Sequence, residues 1–144
     1  MDDTVVLTNE LKQAWRTLAL EVKKERKIKI EAFYSTFSQT YSLLSKHIAE
    51  NSLDKSYVEL IAEAFLFANI KDEKLDNTCL AAFVLTERML AHCAFDSSPS
   101  VVESSTIYLE DARREVPLDF NDASESISKL TKIFEDIYWK NINS

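Results

Sequence analysis

Apolar residues along this chain recur at intervals of three and four positions, which is the spacing of one face of an α-helix. Leu11, Trp15, Leu18 and Val22 form the first such series. The chain of 144 residues contains two prolines and no glycine that could interrupt the pattern. Because glycine and proline are the residues that most often end helices, the pattern predicts an all-α protein.

The first helical segment is predicted to extend from about Thr8 to Glu50, with an apolar stripe in each half. The charged sequence KKERKIKIE at 23–31 separates the two stripes. Two interpretations remain open at this point: one long helix with an exposed middle, or two helices that meet near Lys27. The predicted stripe of the second half consists of Phe33, Phe37, Tyr41, Leu44 and Ile48.

A second helix is predicted to start near Ser56 and to end at Asn69. Ser56 and Glu59 have the spacing of a capping box, in which each side chain bonds the other's backbone N–H. The helix is apolar almost all round, which is typical of a central, buried helix. Its acidic residues Glu59 and Glu63 stand one turn apart, and we expect both carboxylates to be exposed.

Three further helices complete the predicted fold. The third covers about 72–95, and the fourth begins with Ser98 as N-cap and Pro99 as its first helical residue. The fourth ends near Glu115, and the last begins at 122–125. Because short connections favour antiparallel neighbours, the sequence predicts a single-domain antiparallel bundle of four to six helices.

Length and the start of the chain bear on domain count and location. A chain of 144 residues has the size of one domain with its own core, so we expect one domain over 1–144, with disorder only at 1–7 and 143–144. The start, MDDTVV, lacks the basic and long apolar segments of an export signal. No apolar stretch approaches the ~18 residues of a membrane span. We therefore expect a soluble, cytoplasmic protein.

The absence of glycine excludes several classes of enzyme. Phosphate-binding loops, dinucleotide fingerprints and nucleophile elbows need glycine where φ is positive or where the backbone approaches a ligand closely. P-loop NTPases, Rossmann oxidoreductases and α/β-hydrolases are therefore excluded.

Both cysteines lie in the third predicted helix, fourteen residues apart. At 1.5 Å per residue an unbroken helix separates them by about 21 Å, too far for a disulfide. We expect both to be small, reduced, inert core residues. A helical wheel places them on one stripe with their apolar neighbours, namely Leu75, Cys79, Ala82, Phe83, Thr86, Met89, Leu90 and Cys93.

Arg88 and His92 stand one turn apart and point away from that stripe. An arginine can hold a phosphate and a histidine can act as a general base, which are the groups that phosphodiester cleavage needs. The pair, in RMLAH, resembles the arginine-to-histidine motif of HEPN ribonucleases, which are also helical bundles. The family's motif has a longer spacing than the three residues found here, and the polar residue that commonly follows its arginine is Met89. The resemblance implies a ribonuclease with catalytic Arg88 and His92 as the alternative function, against a solvated helix face.

A second alternative is haem binding, because AHCAFD at 91–96 resembles the haem-ligating helix of globins. The other histidine, His47, stands 45 residues before His92, which is farther than the usual distal-to-proximal spacing. Two histidines and two cysteines, with no Glu-x-x-His pair, cannot form a di-iron cage or a Cys/His zinc site within one chain. The main interpretation therefore includes no metal and no cofactor.

Charge is distributed unevenly along the chain. Residues 1–49 carry eight lysines and arginines against six acids, whereas residues 50–144 carry nine against eighteen. The basic interval 23–31 also contains acids, so it is a weak signal for nucleic acid. An acidic excess argues against binding nucleic acid or anionic membranes and favours a basic protein partner.

The sequence thus predicts a non-enzymatic protein that binds a macromolecular partner, as immunity proteins and inhibitors do. A homo-oligomeric scaffold with solvated acids is the other interpretation of the same charges. The predicted partner-binding residues are the acids concentrated around one connection, namely Glu103, Glu110, Asp111, Glu115, Asp119 and Asp122.

Overall fold

A computed structural model describes residues 3–25, 27–49, 55–70, 75–94 and 128–132. Residues 128–132 are helical, and no strand occurs within the described ranges. The helices pack against one another, which confirms the predicted all-α fold. The fourth predicted segment, Ser98 to Glu115, and the start of the fifth lie outside the described residues. The longer helices are α1 (Asp3–Glu25), α2 (Ile30–Ala49), α3 (Lys55–Ala68) and α4 (Asn77–Ala94).

The first predicted segment consists of two helices, α1 and α2. Residues 27–29 between them are not helical. Lys23 and Lys24 stand in the last turn of α1, where positive charge is favourable to the helix dipole. The N–H of Phe33 donates to the carbonyl of Lys29 at 2.9 Å, which makes Lys29 the N-cap of α2. α1 begins at Asp3, five residues before the predicted start.

α3 is the central helix, as predicted. Every side chain from Tyr57 to Ala68 is buried except Glu59, which is half-buried. α3 packs against α1 on one side and α4 on the other, and α2 packs against α4 and α1. Leu130, in the short helical segment 128–132, belongs to the same hydrophobic core.

Aromatic rings from four helices meet in the middle of this core. The ring of Phe67 lies 5.2 Å from Trp15, 5.9 Å from Phe33 and 5.1 Å from Phe83, measured between centroids. Such pairs contribute about 0.5–1.5 kcal/mol each beyond the burial of their surface. One aromatic residue of α3 therefore ties the central helix to α1, α2 and α4.

The buried face of α2 differs from the predicted stripe. Phe33 and Leu44 are buried as predicted, but Tyr41 is exposed, and Thr36 and Thr40 are buried instead. Thr40 is buried because its hydroxyl Oγ1 accepts a hydrogen bond from the indole Nε1 of Trp15 at 2.9 Å. The prediction for Tyr41 was wrong because it counted only apolar side chains. The side chain of Ile48 lies outside the described residues.

α4 confirms most of the predicted core stripe. Seven positions of the stripe are buried, from Leu75 just before α4 to Leu90 within it, and the side chain of Cys93 lies outside the described residues. The predicted start near 72 was wrong, because residues 75 and 76 precede the helix. α4 begins at Asn77, where the carboxylate of Asp76 caps it by accepting the N–H of Cys79 at 2.9 Å.

Candidate functional site

Two ion pairs join α1 to α3. Lys12 Nζ lies 3.2 Å from Glu59 Oε2. One turn further along both helices, Arg16 donates from Nε to Glu63 Oε2 at 3.2 Å and from Nη2 to Glu63 Oε1. Residue numbers increase in the same direction on both helices, so α1 and α3 run parallel here. We call these four residues the α1–α3 ion pairs.

The prediction that both carboxylates are exposed was wrong for Glu63. The side chain of Glu63 is only 6% exposed, whereas that of Glu59 is 35% exposed. Glu63 faces the interface because it occupies a core position of α3, and Arg16 on α1 supplies the opposite charge. Burial raises the pKa of the Glu63 carboxyl, and the hydrogen bonds and positive charge of Arg16 oppose that rise.

The chemistry open to Glu63 follows from this geometry. Both of its carboxylate oxygens accept hydrogen bonds from the guanidinium of Arg16. A bidentate arginine fixes the orientation of a carboxylate and stabilises its charged form. Glu63 is therefore held as a structural partner of Arg16, and its position joins two helices.

Cys79, whose side chain lies within the described part of the chain, stands at the start of α4. Its side chain is fully buried. Burial, together with the neighbouring carboxylate of Asp76, raises the pKa of the Cys79 thiol to about 11. The pKa of Asp76 is lowered, chiefly because its carboxylate accepts the backbone N–H of Cys79. A protonated, buried thiol is a poor nucleophile, in agreement with the predicted inert role of Cys79.

The predicted pair Arg88 and His92 lies on α4. Arg88 is exposed, as the helical wheel predicts. The backbone is helical through Ala94, so the two residues stand one turn apart; the side chain of His92 lies outside the described residues. The nuclease and haem interpretations therefore stay predictions.

The predicted partner-binding acids are Glu103, Glu110, Asp111, Glu115, Asp119 and Asp122, and all six lie outside the described residues. The described part of the chain carries eleven lysines and arginines against nine acids, a net charge of +2. Residues 95–127, by contrast, carry eight acids against two arginines, a net charge of −6. The acidic excess of the protein therefore resides mainly in this segment, and not in α1–α4.

The outward side of α2 combines aromatic and small polar side chains. Ile30, Tyr34 and Tyr41 are exposed, and Phe37 between them is half-buried. Their spacing of four, three and four residues places them on one stripe. We call this stripe, with the exposed polar side chains beside it, the α2 outer face. The polar members are Ser35, Ser38, Gln39 and Ser42.

Neither the α1–α3 ion pairs nor the α2 outer face was predicted from the sequence. A usable signal for the ion pairs was the matched spacing of four in Lys12/Arg16 and Glu59/Glu63, which lets two helices pair charges twice. A signal for the α2 outer face was the run 32–45, which contains no Asp, Glu, Lys, Arg or His. In a chain that is 28% charged, such a gap along an exposed helix marks an unusual surface.

Within the described ranges, no group of three or more His, Cys, Asp or Glu side chains is placed to hold a metal ion. The helices described here also include none that is long and apolar enough to cross a membrane. No known protein family, curated protein or solved structure matches the chain. Only the residues of this chain therefore indicate its function.

Proposed function

We propose that this protein acts by binding a macromolecular partner, a protein with a basic surface, in a neutralising or regulatory role and without catalysis. The observation that carries the proposal is the separation of charge. The described residues carry a net charge of +2, whereas residues 95–127 carry −6. One segment thus holds most of the acidic excess in a chain of net charge −7.

A concentrated charge of one sign speeds the encounter with a partner of opposite sign and orients it. Acids spread evenly over the surface lack this directional effect. The acids at the α1–α3 interface are already paired, since Glu59 contacts Lys12 and Glu63 contacts Arg16. This supports the choice of Glu103, Glu110, Asp111, Glu115, Asp119 and Asp122 as the contact residues.

The test compares two double variants that change net charge equally. Glu110→Gln/Glu115→Gln removes two acids from the proposed contact, and Glu10→Gln/Glu31→Gln removes two exposed acids from α1 and α2. The basic partner is first captured from the native host, and its affinity for each variant is then measured by titration calorimetry. The proposal expects the first variant to bind at least tenfold more weakly than the second.

Two outcomes contradict the proposal. Equal affinities of the two double variants mean that residues 95–127 are not the contact. An affinity that is indifferent to salt between about 50 and 300 mM means that charge does not drive binding, because surface charges are screened within about 10 Å at 0.1 M ionic strength.

Ribonuclease activity is kept as a second candidate for one reason, the exposure of Arg88 one turn before His92 on an unbroken helix. This candidate expects RNA cleavage that His92→Ala abolishes without changing the helical circular dichroism. Purified protein without cleavage activity, or with activity that His92→Ala leaves intact, removes it.

A further inference from the structure

We infer that the α2 outer face is the contact between two copies of this chain, which pair through their α2 helices in antiparallel orientation. Three of the four side chains in the stripe are exposed: Ile30 is 39% exposed, Tyr34 51% and Tyr41 38%. The residues of this surface belong to α2 and not to the acidic segment 95–127. The inference therefore stands apart from the proposed function.

The rings of the stripe are held in place by the core beneath them. The ring centroid of Tyr34 lies 5.4 Å from that of Phe33, and Phe37 lies 5.6 Å from the same ring. Tyr41 stacks on Phe37 at 6.4 Å. Phe33 itself is fully buried. Since rings fixed before association lose little conformational freedom on binding, this face is preorganised for contact.

Charge favours a second copy over a basic partner as the occupant. Two copies of a chain of net charge −7 repel each other wherever their acids meet. The α2 outer face contributes little such repulsion, because 32–45 contains no Asp, Glu, Lys, Arg or His, and the exposed Glu31 stands only at its N-terminal end, beside Ile30. A basic partner, by contrast, finds negative charge only at that end of the face. Interface centres are also depleted in charge and enriched in tyrosine.

The face is also complementary to itself, as a two-fold contact requires. Serine and tyrosine hydroxyls both donate and accept hydrogen bonds, so each can meet a hydroxyl of the same kind. An antiparallel pair centred between Tyr34 and Phe37 sets Tyr34 against Phe37 of the second copy. The same alignment sets Ile30 against Tyr41 of the second copy. Each tyrosine ring thus meets an apolar side chain.

The size of the stripe sets the expected strength. From Ile30 to Tyr41 it spans about 16 Å of helix at 1.5 Å per residue. Contacts this small fall below the roughly 1,200 Å² of standard interfaces and are typically weak. The dimer is therefore expected to be weak, so that its population depends on the protein concentration.

Sedimentation equilibrium of the full chain from about 1 to 500 µM tests the inference. The mass is expected to rise with concentration from 16.5 kDa towards twice that value. Tyr34→Lys places a charge in the stripe, and it is expected to raise the dissociation constant more than tenfold. The matched control is Val84→Lys on α4, where Val84 is 47% exposed, and it leaves the dissociation constant unchanged. Ser38→Arg adds a charge beside the stripe and keeps every ring, so it tests the same surface if Tyr34→Lys does not fold.

A wild-type mass of 16.5 kDa at every concentration overturns the inference. So does a dimer that Val84→Lys weakens as much as Tyr34→Lys, or one that Ser38→Arg leaves intact. A monomeric wild type that Tyr34→Lys destabilises indicates instead that another segment of the same chain covers the α2 outer face.

Discussion

The two α1–α3 ion pairs differ in how far the carboxylate is exposed to water once its basic partner is removed. Without Arg16, the Glu63 carboxylate stays buried at 6% exposure with no matching charge, whereas Glu59 is 35% exposed and can be hydrated by water. Arg16→Met is therefore expected to lower the free energy of unfolding by about 3 kcal/mol, and Lys12→Met by less than about 1 kcal/mol.

Urea denaturation at pH 7 measures both variants under the same conditions. Methionine keeps the unbranched apolar stem of either residue, so the comparison isolates the charged group. Equal losses for the two variants would show that burial of the carboxylate does not decide the cost.

The pH dependence of stability reports on Glu63 directly. Its pKa in the folded protein is raised above the ordinary value of 4.5, so the protonated form favours folding. The stabilising contribution is complete below pH 4.5 and is lost as the pH rises through the folded-state pKa. Glu63→Gln resembles the protonated form. As the pH rises through the folded-state pKa of Glu63, the free energy of unfolding of this variant is expected to increase relative to that of the wild type. A difference that stays constant or decreases would mean that Arg16 outweighs burial.

Thr40 and Thr36 are two buried threonines on α2 with different hydrogen bonds. Thr40 accepts the indole N–H of Trp15, whereas Thr36 donates to the carbonyl of Ala32 in its own helix. Thr40→Val leaves a buried indole N–H without an acceptor, which is expected to cost about 1–3 kcal/mol. Thr36→Val leaves no donor without a partner, so its expected change is within about 0.5 kcal/mol. Urea midpoints of the two variants provide the measurement, and a loss in Thr36→Val equal to that in Thr40→Val would contradict the assignment.

The core could be predicted residue by residue mainly where side chains are apolar; Thr86, which the helical wheel places on the stripe of α4, is the exception. Trp15 and Phe83 follow from helical spacing alone. Glu63, Thr36 and Thr40 do not, because their burial depends on a partner or on the helix carbonyls, and a pattern of apolar positions contains neither. The Arg16–Glu63 contact joins residues 47 positions apart, so it depends on how α1 and α3 pack.

At the level of helices, α2 begins after the break with an unfavourable N-cap residue. Lys29 occupies the N-cap of α2, a position where Asn, Asp, Ser and Thr are favoured because their side chains accept a backbone N–H. Lys29 is largely exposed and lies 3.8 Å from Glu21, an ion pair of little energetic value. Lys29→Asn is therefore expected to raise the free energy of unfolding by about 1 kcal/mol.

Lys29→Gln is the control for the N-cap prediction, since it removes the same charge without a favoured capping side chain. Thermal unfolding followed by circular dichroism compares the two variants with wild type. If Lys29→Gln stabilises the protein as much as Lys29→Asn, loss of the lysine charge and not capping is the cause.

The ends of the helices were harder to predict than their existence. Asp76 caps α4 through the N–H of Cys79, but the sequence offers Asp72 as an equally plausible start. Without glycine in the chain, no residue type marks the break at 27–29, which explains why one helix and two were both compatible with the sequence. Tertiary packing decides between them, since α2 must turn back to place Thr40 beside Trp15.

For the molecule as a whole, the sequence could predict the sign and the position of the charge but not the surfaces that result. The acidic excess of residues 95–127 can be counted directly in the amino-acid sequence. The α2 outer face cannot be recognised there, because Phe37 and Tyr41 were predicted as part of the core stripe, whereas packing places Thr36 and Thr40 inward and leaves Tyr41 exposed.

Ionic strength is expected to affect binding at the two proposed surfaces in different ways. Partner binding through acidic side chains is an attraction between opposite charges, so raising NaCl from about 50 to 500 mM is expected to weaken it at least tenfold. Association of two copies brings together chains of net charge −7 through a face with little charge of its own, so screening removes mainly repulsion. The dimer dissociation constant is therefore expected to stay constant or to fall over the same range. Sedimentation and calorimetry on one sample at each salt concentration give both values, and a dimer that salt dissociates would place charged residues in its contact.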